Sequence, residues 1–224
     1  MNLTHKILEI PKIKYFLSLL IVVFYSCDKS IETSRVYLTD FEKGFMPYSQ
    51  GQKLGFVHSN GYSFDFTVTK VDYSFGRAFE VPRTYFDFSA GNYIANQIKA
   101  ITMVSTYPKF KMEIELGGLT TIEDSTINDV LKNTYTDSIK TLRISLNNYY
   151  TRIKYNKVGT FDSNDMKKSI HDSIIVGTKK YFNVIELEFD YISDSIDTSP
   201  KSILCNSNGV LQIKLCNNDT FSIK

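Results

Sequence analysis

The sequence predicts a mainly β protein: one antiparallel, strongly curved sheet, sandwich-like or partly closed as a barrel, with at most one or two short helices. Three observations support this fold class. Apolar and polar residues alternate in several runs, which is typical of antiparallel strands with one buried face and one solvated face. Turn-forming pairs such as Asn60-Gly61 and Asn208-Gly209 lie beside these runs. The 224 residues are 42% hydrophobic and 22% charged, a balance that allows one packed core.

Four runs carry the strongest alternation. Their apolar positions are Tyr62, Phe64, Phe66 and Val68, then Phe110, Met112, Ile114 and Leu116, then Ile185, Leu187, Phe189 and Tyr191, and finally Leu211, Ile213 and Leu215. Shorter runs cover Leu142 to Leu146 and Tyr149 to Tyr155. We expect the buried faces to include Phe64, Phe66, Phe110, Ile114, Leu187, Phe189, Leu211 and Ile213.

Two segments are harder to assign from the pattern. Residues 91–105 place isoleucines at helical spacing, but a turn and a clear strand follow, so we predict a strand there. Ser125 to Lys132 has a possible N-cap followed by helically spaced apolar residues, which predicts one short helix.

The N-terminus has the features of an export signal. Three lysines precede an apolar run from Tyr15 to Phe24. Ten helical residues span about 15 Å, half of a hydrocarbon core of about 30 Å, so the run suits a signal peptide better than a membrane-spanning helix. Phe24-Tyr25-Ser26-Cys27 then resembles a lipobox, with signal cleavage after Ser26 and lipidation of Cys27. The alternatives are a plain signal peptide with an incidental cysteine, or a single-pass anchor.

These features predict three segments: a lipoprotein signal peptide over residues 1–26, a lipidated tether over residues 27–35, and a single β-rich domain over residues 36–224. Diacylglycerol and a further acyl chain such as palmitate would make attachment stable, because firm anchoring takes roughly two acyl chains. Of the 26 basic and 24 acidic residues, three lysines and one glutamate precede Cys27, so 23 of each sign remain. A neutral domain favours no nucleic-acid partner.

Two regions resemble uncharacterised small lipoproteins of the Bacteroidota. The first runs from Met46-Pro47-Tyr48 through Gly51-Gln52 and Leu54-Gly55-Phe56 to Phe64-Asp65-Phe66-Thr67-Val68-Thr69. The second comprises Tyr181-Phe182-Asn183-Val184-Ile185, Ser199-Pro200-Lys201 and Gly209-Val210-Leu211-Gln212-Ile213. In such proteins a strand pair opens the domain and a final hairpin closes it. The resemblance implies an outer-membrane lipoprotein and no particular activity.

Candidate catalytic sets are weak. If Asn60-Gly61 is a two-residue turn, His58 pairs with Ser63 and shares a face with Ser63 and Asp65. The alternative interpretation is the solvated face of a hairpin. His171-Asp172-Ser173 is contiguous, so its side chains would alternate between faces of a strand and cannot act together.

Metal, cofactor and disulfide signals are also weak. Asp190, Asp194 and Asp197 precede Pro200 in a polar loop without calcium-loop spacing, and we predict no metal site and no cofactor. A turn at Asn208-Gly209 would pair Cys205 with Gln212, four positions or about 13 Å from Cys216. A disulfide needs Cα atoms within about 7 Å, so none is predicted.

Three hypotheses about function follow. The first is a non-enzymatic envelope or surface module with a structural role or a protein or glycan partner. The second is a carrier of an apolar ligand inside the curved sheet, which requires an unfilled apolar cavity of several hundred Å³. The third is a hydrolase, which requires His58 or His171 in a cleft with a carboxylate in hydrogen-bond reach.

Overall fold

The structure is a computed structural model, and it describes residues 31–77, 92–119, 140–156, 159–162, 168–189 and 199–224. These residues form twelve strands and one short helix. The elements are β1 (Ile31–Val36), α1 (Asp40–Gly44), β2 (Lys53–His58), β3 (Ser63–Arg77), β4 (Asn92–Val104), β5 (Lys111–Leu119), β6 (Lys140–Leu146), β7 (Tyr149–Tyr155), β8 (Lys168–Val176), β9 (Lys179–Glu188), β10 (Pro200–Asn206), β11 (Gly209–Leu215) and β12 (Thr220–Ile223).

All twelve strands belong to one sheet. The order is β7-β6-β5-β4-β3-β2-β12-β11-β10-β9-β8, with every neighbour antiparallel, and β1 pairs with β4 in parallel. The sheet curves until β7 approaches β9, where Thr151 Oγ1 donates a hydrogen bond of 2.7 Å to the carbonyl of Glu188. The sheet is therefore nearly closed as a barrel, which confirms the predicted mainly β, antiparallel and partly closed architecture.

Large apolar side chains fill the inside of this barrel. Phe64, Phe66, Phe110 and Phe221 pack at centroid distances of 5.4–6.5 Å. Aliphatic side chains from the other strands join them in one continuous core: Val68, Ile101, Met103, Met112, Ile114, Leu116, Leu142, Ile144, Leu146, Ile153, Ile185, Leu187, Ile203, Ile213 and Leu215. Every position predicted to lie on a buried face is buried.

The segment after β1 enters one end of the barrel, which we call the plug end. Helix α1 begins with a capping box, in which Thr39 and Glu42 each satisfy a backbone N–H of the other. Phe45 and Met46 follow the helix and are buried in the core. Helix α1 and these two residues are called the plug below. At the opposite end, the loop end, short connections join β4 to β5 and β6 to β7.

Two buried lysines hold the plug. Lys140 Nζ lies 2.8 and 2.9 Å from the Glu42 carboxylate oxygens, and Tyr155 Oη donates to the same carboxylate at 2.5 Å. Lys99 Nζ donates to the backbone carbonyls of Lys43, Phe45 and Met46 at 2.8–3.3 Å. Burial lowers the pKa of the Lys99 ammonium, and the three carbonyls supply hydrogen bonds in place of water.

A second, smaller apolar cluster covers the outside of the sheet. It contains Val176, Val184, Leu204 and Leu211. Asn183 has a φ of 51°, and only the residues of β9 after it, Ile185 to Glu188, pair with β10. The first half of β9 and the second half of β8, which pairs with it, therefore pack against the outer face of β10 and β11.

Leu211 differs from its predicted position. We expected it to share a face with Ile213, but it packs in the outer cluster. The cause is an irregularity in the β10–β11 pairing, where Leu204 pairs with Gln212 and Cys205 with Val210. Leu211 is thus the extra residue of a β-bulge, which breaks the alternation of faces.

Three segments had predictions of their own: a strand, a tether and a short helix. The strand predicted within residues 91–105 is confirmed as β4. The predicted tether over residues 27–35 is too long, because β1 begins at Ile31 and pairs with the edge of β4. The apolar pattern of β1 is weak, and its strand conformation comes from pairing with backbone N–H and C=O groups at that edge of β4. The helix predicted over Ser125 to Lys132 and the position Tyr191 lie outside the described residues.

Candidate functional site

Cys27 and Ser26 precede the first residue that the structure describes. Lipidation of Cys27 and cleavage after Ser26 therefore stay predictions. Within the described part of the chain, no helix is both long enough and apolar enough to cross a membrane.

The predicted grouping of His58, Ser63 and Asp65 is wrong. Val57, not His58, pairs with Ser63, and the His58 N–H donates to the carbonyl of Tyr62 at 2.8 Å. The connection is one residue longer than a two-residue turn, and a shift of one residue moves a side chain to the other face. His58 consequently faces the core with Phe64 and the other aromatic side chains, while Ser63 and Asp65 are exposed on the opposite face.

His58 is held by the hairpin that contains it. Its ring stacks on Tyr62 at 4.6 Å with an interplanar angle of 13°. Nδ1 accepts a hydrogen bond from the Asn60 N–H at 3.0 Å, and Nε2 lies 3.4 Å from Asp219 Oδ1. The residue borders a surface pocket of about 330 Å³ that also involves Lys179. The contacts of both ring nitrogens are within the β2–β3 and β11–β12 connections, which is the pattern of a histidine that ties two turns together.

His171 belongs to a polar row on the outer face. Its Nε2 lies 3.3 Å from Glu186 Oε2, while Glu186 Oε1 accepts hydrogen bonds from Lys214 Nζ at 2.9 Å and Ser202 Oγ at 3.1 Å. Burial tends to raise the pKa of Glu186, but the hydrogen bond and charge of Lys214, with the hydrogen bonds of Ser202 and His171, hold it below its usual value. Ser202 donates to the carboxylate and not to the imidazole, so this row lacks the serine–histidine contact of a hydrolase. Strand order brings these residues together, which sequence alternation alone could not reveal.

The structure describes the predicted cysteine positions but not the aspartates of the predicted polar loop. Asp190, Asp194 and Asp197 lie outside the described residues. Among the residues described, no group of three or more His, Cys, Asp or Glu side chains could hold a metal ion. Cys205 and Cys216 are both free, as predicted. The pairing behind that prediction is different, since Cys205 pairs with Val210 instead of Gln212.

A groove opens at the loop end of the barrel, between the β4–β5 loop and the β6–β7 turn. It has a volume of about 880 Å³, within the range typical of ligand sites. We call it the loop-end groove. Its lining comprises Val104, Ser105, Thr106, Lys109, Phe110, Lys111, Asn147 and Asn148. No pattern in the sequence indicates this groove, because its two walls come from connections that are 36 or more residues apart in sequence.

Both walls of the groove are braced by hydrogen bonds. In the β4–β5 loop, the Phe110 N–H donates to Ser105 Oγ at 3.2 Å, and the Ser105 N–H donates to the Phe110 carbonyl at 2.9 Å. The two walls are joined where the Lys111 N–H donates to Asn147 Oδ1 at 2.9 Å, and the Asn147 N–H donates back to the Lys111 carbonyl at 2.7 Å. The groove is therefore a preformed concavity.

The groove combines an aromatic floor with available polar groups. Phe110 is buried and packs against Phe66 and Phe221 beneath the groove. Thr106, Lys109 and Asn148 make no side-chain hydrogen bond or ion pair within the part of the chain that the structure describes. Tyr107, in the same loop, is 77% exposed with its ring 6.2 Å from that of Tyr62. Hydroxyl, amide and ammonium groups next to an exposed aromatic ring are suited to a polar, hydroxyl-rich ligand.

Comparisons with known proteins identified no relative of this chain. No protein-family model matches it, and no match was found among curated proteins or solved structures. Function is therefore inferred from the fold and from the loop-end groove.

Proposed function

We propose that this chain is a non-enzymatic binding module of the cell envelope, anchored by a lipid at Cys27, which binds a glycan in the loop-end groove. The observation that carries the proposal is the groove itself, where Thr106, Lys109 and Asn148, whose side chains make no hydrogen bond or ion pair with any described residue, lie above the aromatic floor of Phe110. The lipobox-like residues and the resemblance to lipoproteins of the Bacteroidota support an outer-membrane location.

A glycan suits this groove better than an apolar molecule. The polar side chains can exchange hydrogen bonds with sugar hydroxyls, and Tyr107 offers an aromatic face with a polar tip. Lys109 and Lys111 add positive charge, although Glu113 Oε1 lies 2.6 Å from Lys111 Nζ. Among the described residues lining the groove, Lys109 has no ion-pair partner, and its charge favours glycans that carry acidic groups.

The carrier alternative finds less support. It needs an unfilled apolar cavity of several hundred Å³ inside the sheet, whereas stacked phenylalanines and aliphatic side chains occupy the described interior. Glu42, Lys140 and Lys99 also fix the plug across one end of the barrel. An apolar ligand would have to displace well-packed side chains, which costs contacts that the core already makes.

The groove is tested by binding of the full, lipid-anchored protein to immobilised glycans. We expect retention of acidic polysaccharides, and we expect Tyr107→Ala and Lys109→Ala each to weaken binding by about tenfold, or about 1.4 kcal/mol. Lys179→Ala is the matched control, since it removes an exposed lysine at the separate pocket beside His58. Equal binding by all three variants, or no retention of any glycan, would contradict the groove as the site; capture of a protein instead would assign a different partner class.

The anchor is tested by Cys27→Ala with Cys216→Ala as its control. We expect Cys27→Ala to abolish both palmitate labelling and membrane attachment, because the acyl chains supply the membrane affinity. Cys216→Ala removes a free cysteine of the domain and should leave both unchanged. Fractionation and metabolic labelling give the readout, and protease treatment of intact cells then distinguishes the outer surface from the periplasm. Persistent labelling of Cys27→Ala would refute the lipid anchor.

A further inference from the structure

Four connections lie side by side at the loop end of the barrel. The sheet order places the β11–β12 turn first, followed by the β2–β3 turn, the β4–β5 loop and the β6–β7 turn. Each step along this row crosses two strands, or about 10 Å, because neighbouring strands are about 4.8 Å apart. The loop-end groove lies between the last two connections. A ligand that extends beyond the groove along the row therefore crosses the β4–β5 loop.

Two tyrosines lie along the row beyond the groove. Tyr107 of the β4–β5 loop is 77% exposed, and its ring lies 6.2 Å from the ring of Tyr62 in the β2–β3 turn. Within the described part of the chain, neither phenolic hydroxyl has a hydrogen-bond partner. Each tyrosine thus offers a ring face together with an available polar tip. We call Tyr62 and Tyr107 the tyrosine rim.

The surrounding turns hold the tyrosine rim in place. Tyr62 stacks on His58 at 4.6 Å, and its N–H donates to Asn60 Oδ1 at 3.3 Å. In the β4–β5 loop, the Ser105 hydroxyl donates to the carbonyl of Pro108. Groups that are already ordered lose less conformational entropy when a ligand binds, so the rim is a preorganised surface.

Opposite charges lie at the two ends of the row. Lys109, at the groove, has no ion-pair partner among the described residues. Asp219, in the β11–β12 turn, accepts a hydrogen bond of 2.7 Å from Asn217 Nδ2, and its Oδ1 lies 3.4 Å from His58 Nε2. Because His58 Nδ1 accepts the Asn60 N–H at 3.0 Å, that nitrogen carries no proton and the imidazole is neutral. The negative charge of Asp219 is therefore not neutralised by either contact.

The charge of Asp219 acts on the tyrosine rim and not on the groove. Burial raises the pKa of the Tyr62 hydroxyl, and Tyr107 and Asp219 raise it further. Asp219 and Lys109 are two connections apart, about 20 Å along the row, whereas charges in physiological salt are screened over about 8 Å. Lys109 thus favours an acidic group in the groove, and Asp219 disfavours one on the rim.

We propose that the ligand is a chain in which acidic and uncharged sugar residues adjoin, with an acidic residue in the loop-end groove and an uncharged residue on the tyrosine rim. The groove alone would also accept a uniformly acidic chain, but the carboxylate of Asp219 disfavours such a chain at the rim. The β4–β5 loop separates the groove from Tyr62, so one sugar residue does not contact both. This inference rests on the proposed glycan-binding function and adds the composition and length of the ligand.

Defined oligosaccharides test composition and length separately. The probes are the disaccharide and hexasaccharide of hyaluronan, which alternate a uronate with an uncharged N-acetylated sugar, and the hexasaccharide of galacturonate, in which every residue is acidic. Calorimetric titration of the full, lipid-anchored protein gives the Kd for each. We expect the hyaluronan hexasaccharide to bind about tenfold more tightly than either of the other two probes.

Two variants at the rim and one control make the assignment specific. Tyr62→Phe should weaken binding of the hyaluronan hexasaccharide about fivefold through loss of one hydroxyl, and leave the disaccharide unchanged. Asp219→Asn should strengthen binding of the galacturonate hexasaccharide about fivefold, a gain that a destabilised fold does not produce. Tyr73→Ala removes a tyrosine that is 50% exposed towards the other end of β3, and it should change neither.

Three results would overturn the inference. Equal affinities for the two hyaluronan probes, unaffected by Tyr62→Phe, would mean that the ligand ends at the groove, which itself would stand. Galacturonate binding as tight as that of hyaluronan and insensitive to Asp219→Asn would refute the proposed composition. If no probe binds the unmodified protein, the proposed glycan-binding function fails first and this inference fails with it.

Discussion

Glu42→Gln is expected to lower the free energy of unfolding by about 3–5 kcal/mol, because it leaves the buried ammonium of Lys140 without its counter-charge. The side chains of Glu42 and Lys140 are each only 1% exposed, with Nζ 2.8 Å from Oε2. A glutamine at position 42 could still accept one hydrogen bond but would carry no charge. Urea denaturation of the full-length protein, followed by circular dichroism, measures the effect.

Three further variants make this prediction specific. Glu113→Gln breaks an ion pair between the exposed side chains of Lys111 and Glu113, and we expect it to cost at most about 1 kcal/mol. Tyr155→Phe removes the 2.5 Å hydrogen bond to Glu42 and should cost about 1–3 kcal/mol. Glu42→Gln combined with Lys140→Met should recover part of the single-variant loss, because no buried charge is left unpaired.

A loss below about 1 kcal/mol for Glu42→Gln would mean that the plug contributes little to stability. That result would also remove one objection to the carrier alternative, since a weakly held plug could open. A small loss would also follow if the core simply tolerates the unpaired charge of Lys140. The double variant distinguishes the two explanations, because the coupling energy between Glu42 and Lys140 should be absent if the plug contributes little to stability.

The plug could have been anticipated in part from the sequence. Thr39-Asp40-Phe41-Glu42 has the spacing of a capping box, although only one turn of helix follows it. Lys140 lies two residues before Leu142 and four before Ile144, so alternation places this lysine on the same inward-facing side of the strand. Its partner was not, because Glu42 lies 98 residues earlier and only the curved sheet brings the two together.

The register of the hairpins shows why His58 does not share a face with Ser63 and Asp65, the grouping that a two-residue turn would give. Alternation located β3, and the Asn60-Gly61 turn signal implied a paired strand before it, but neither fixed the length of the connection to within one residue. With Val57 opposite Ser63, His58 turns inward onto Tyr62. The same uncertainty affected Cys205, where the absence of a disulfide was confirmed through a pairing other than the predicted one.

The loop-end groove could not be predicted from the sequence, for a different reason. Its polar residues belong to the β4–β5 loop and the β6–β7 turn, which are ordinary turn sequences when read separately. Strand order places them side by side, and the Lys111–Asn147 hydrogen bonds join them. Alternation reports which face a residue occupies, whereas a site of this kind depends on which connections are neighbours.

Gly209→Ala is expected to destabilise the protein by about 4 kcal/mol through two separate effects, backbone strain and a clash. Gly209 has a φ of 142°, which L residues rarely adopt. A Cβ at this position would lie 1.9 Å from Tyr48 Oη and 2.6 Å from Tyr48 Cζ. Tyr48 is buried and rigid, since its Oη accepts a hydrogen bond of 2.8 Å from the Val210 N–H, and burial raises its pKa to about 12.

Two other glycines separate the strain from the clash. Gly51 and Gly61 also have positive φ, at 85° and 95°, but a Cβ on either would meet no atom within 4 Å. Gly51→Ala and Gly61→Ala should therefore show the strain alone, about 1–3 kcal/mol. Adding Tyr48→Phe to Gly209→Ala removes the nearest atom and should restore part of the lost stability, whereas Tyr48→Phe by itself should be destabilising because the Val210 N–H loses its acceptor.

The comparison of these five variants decides what fixes the β10–β11 hairpin against the plug. If Gly209→Ala costs no more than Gly51→Ala, Tyr48 can move and the contact between the hairpin and the Met46–Tyr48 segment is loose. If it costs more and Tyr48→Phe rescues it, the contact is rigid, as the 2.6 Å hydrogen bond from the Met46 N–H to the Ser207 carbonyl also indicates. A rigid contact means that the buried pair of Glu42 with Lys140 and the glycine contact at Tyr48 hold the plug from two sides, so the barrel stays closed at that end and ligands are restricted to its surface.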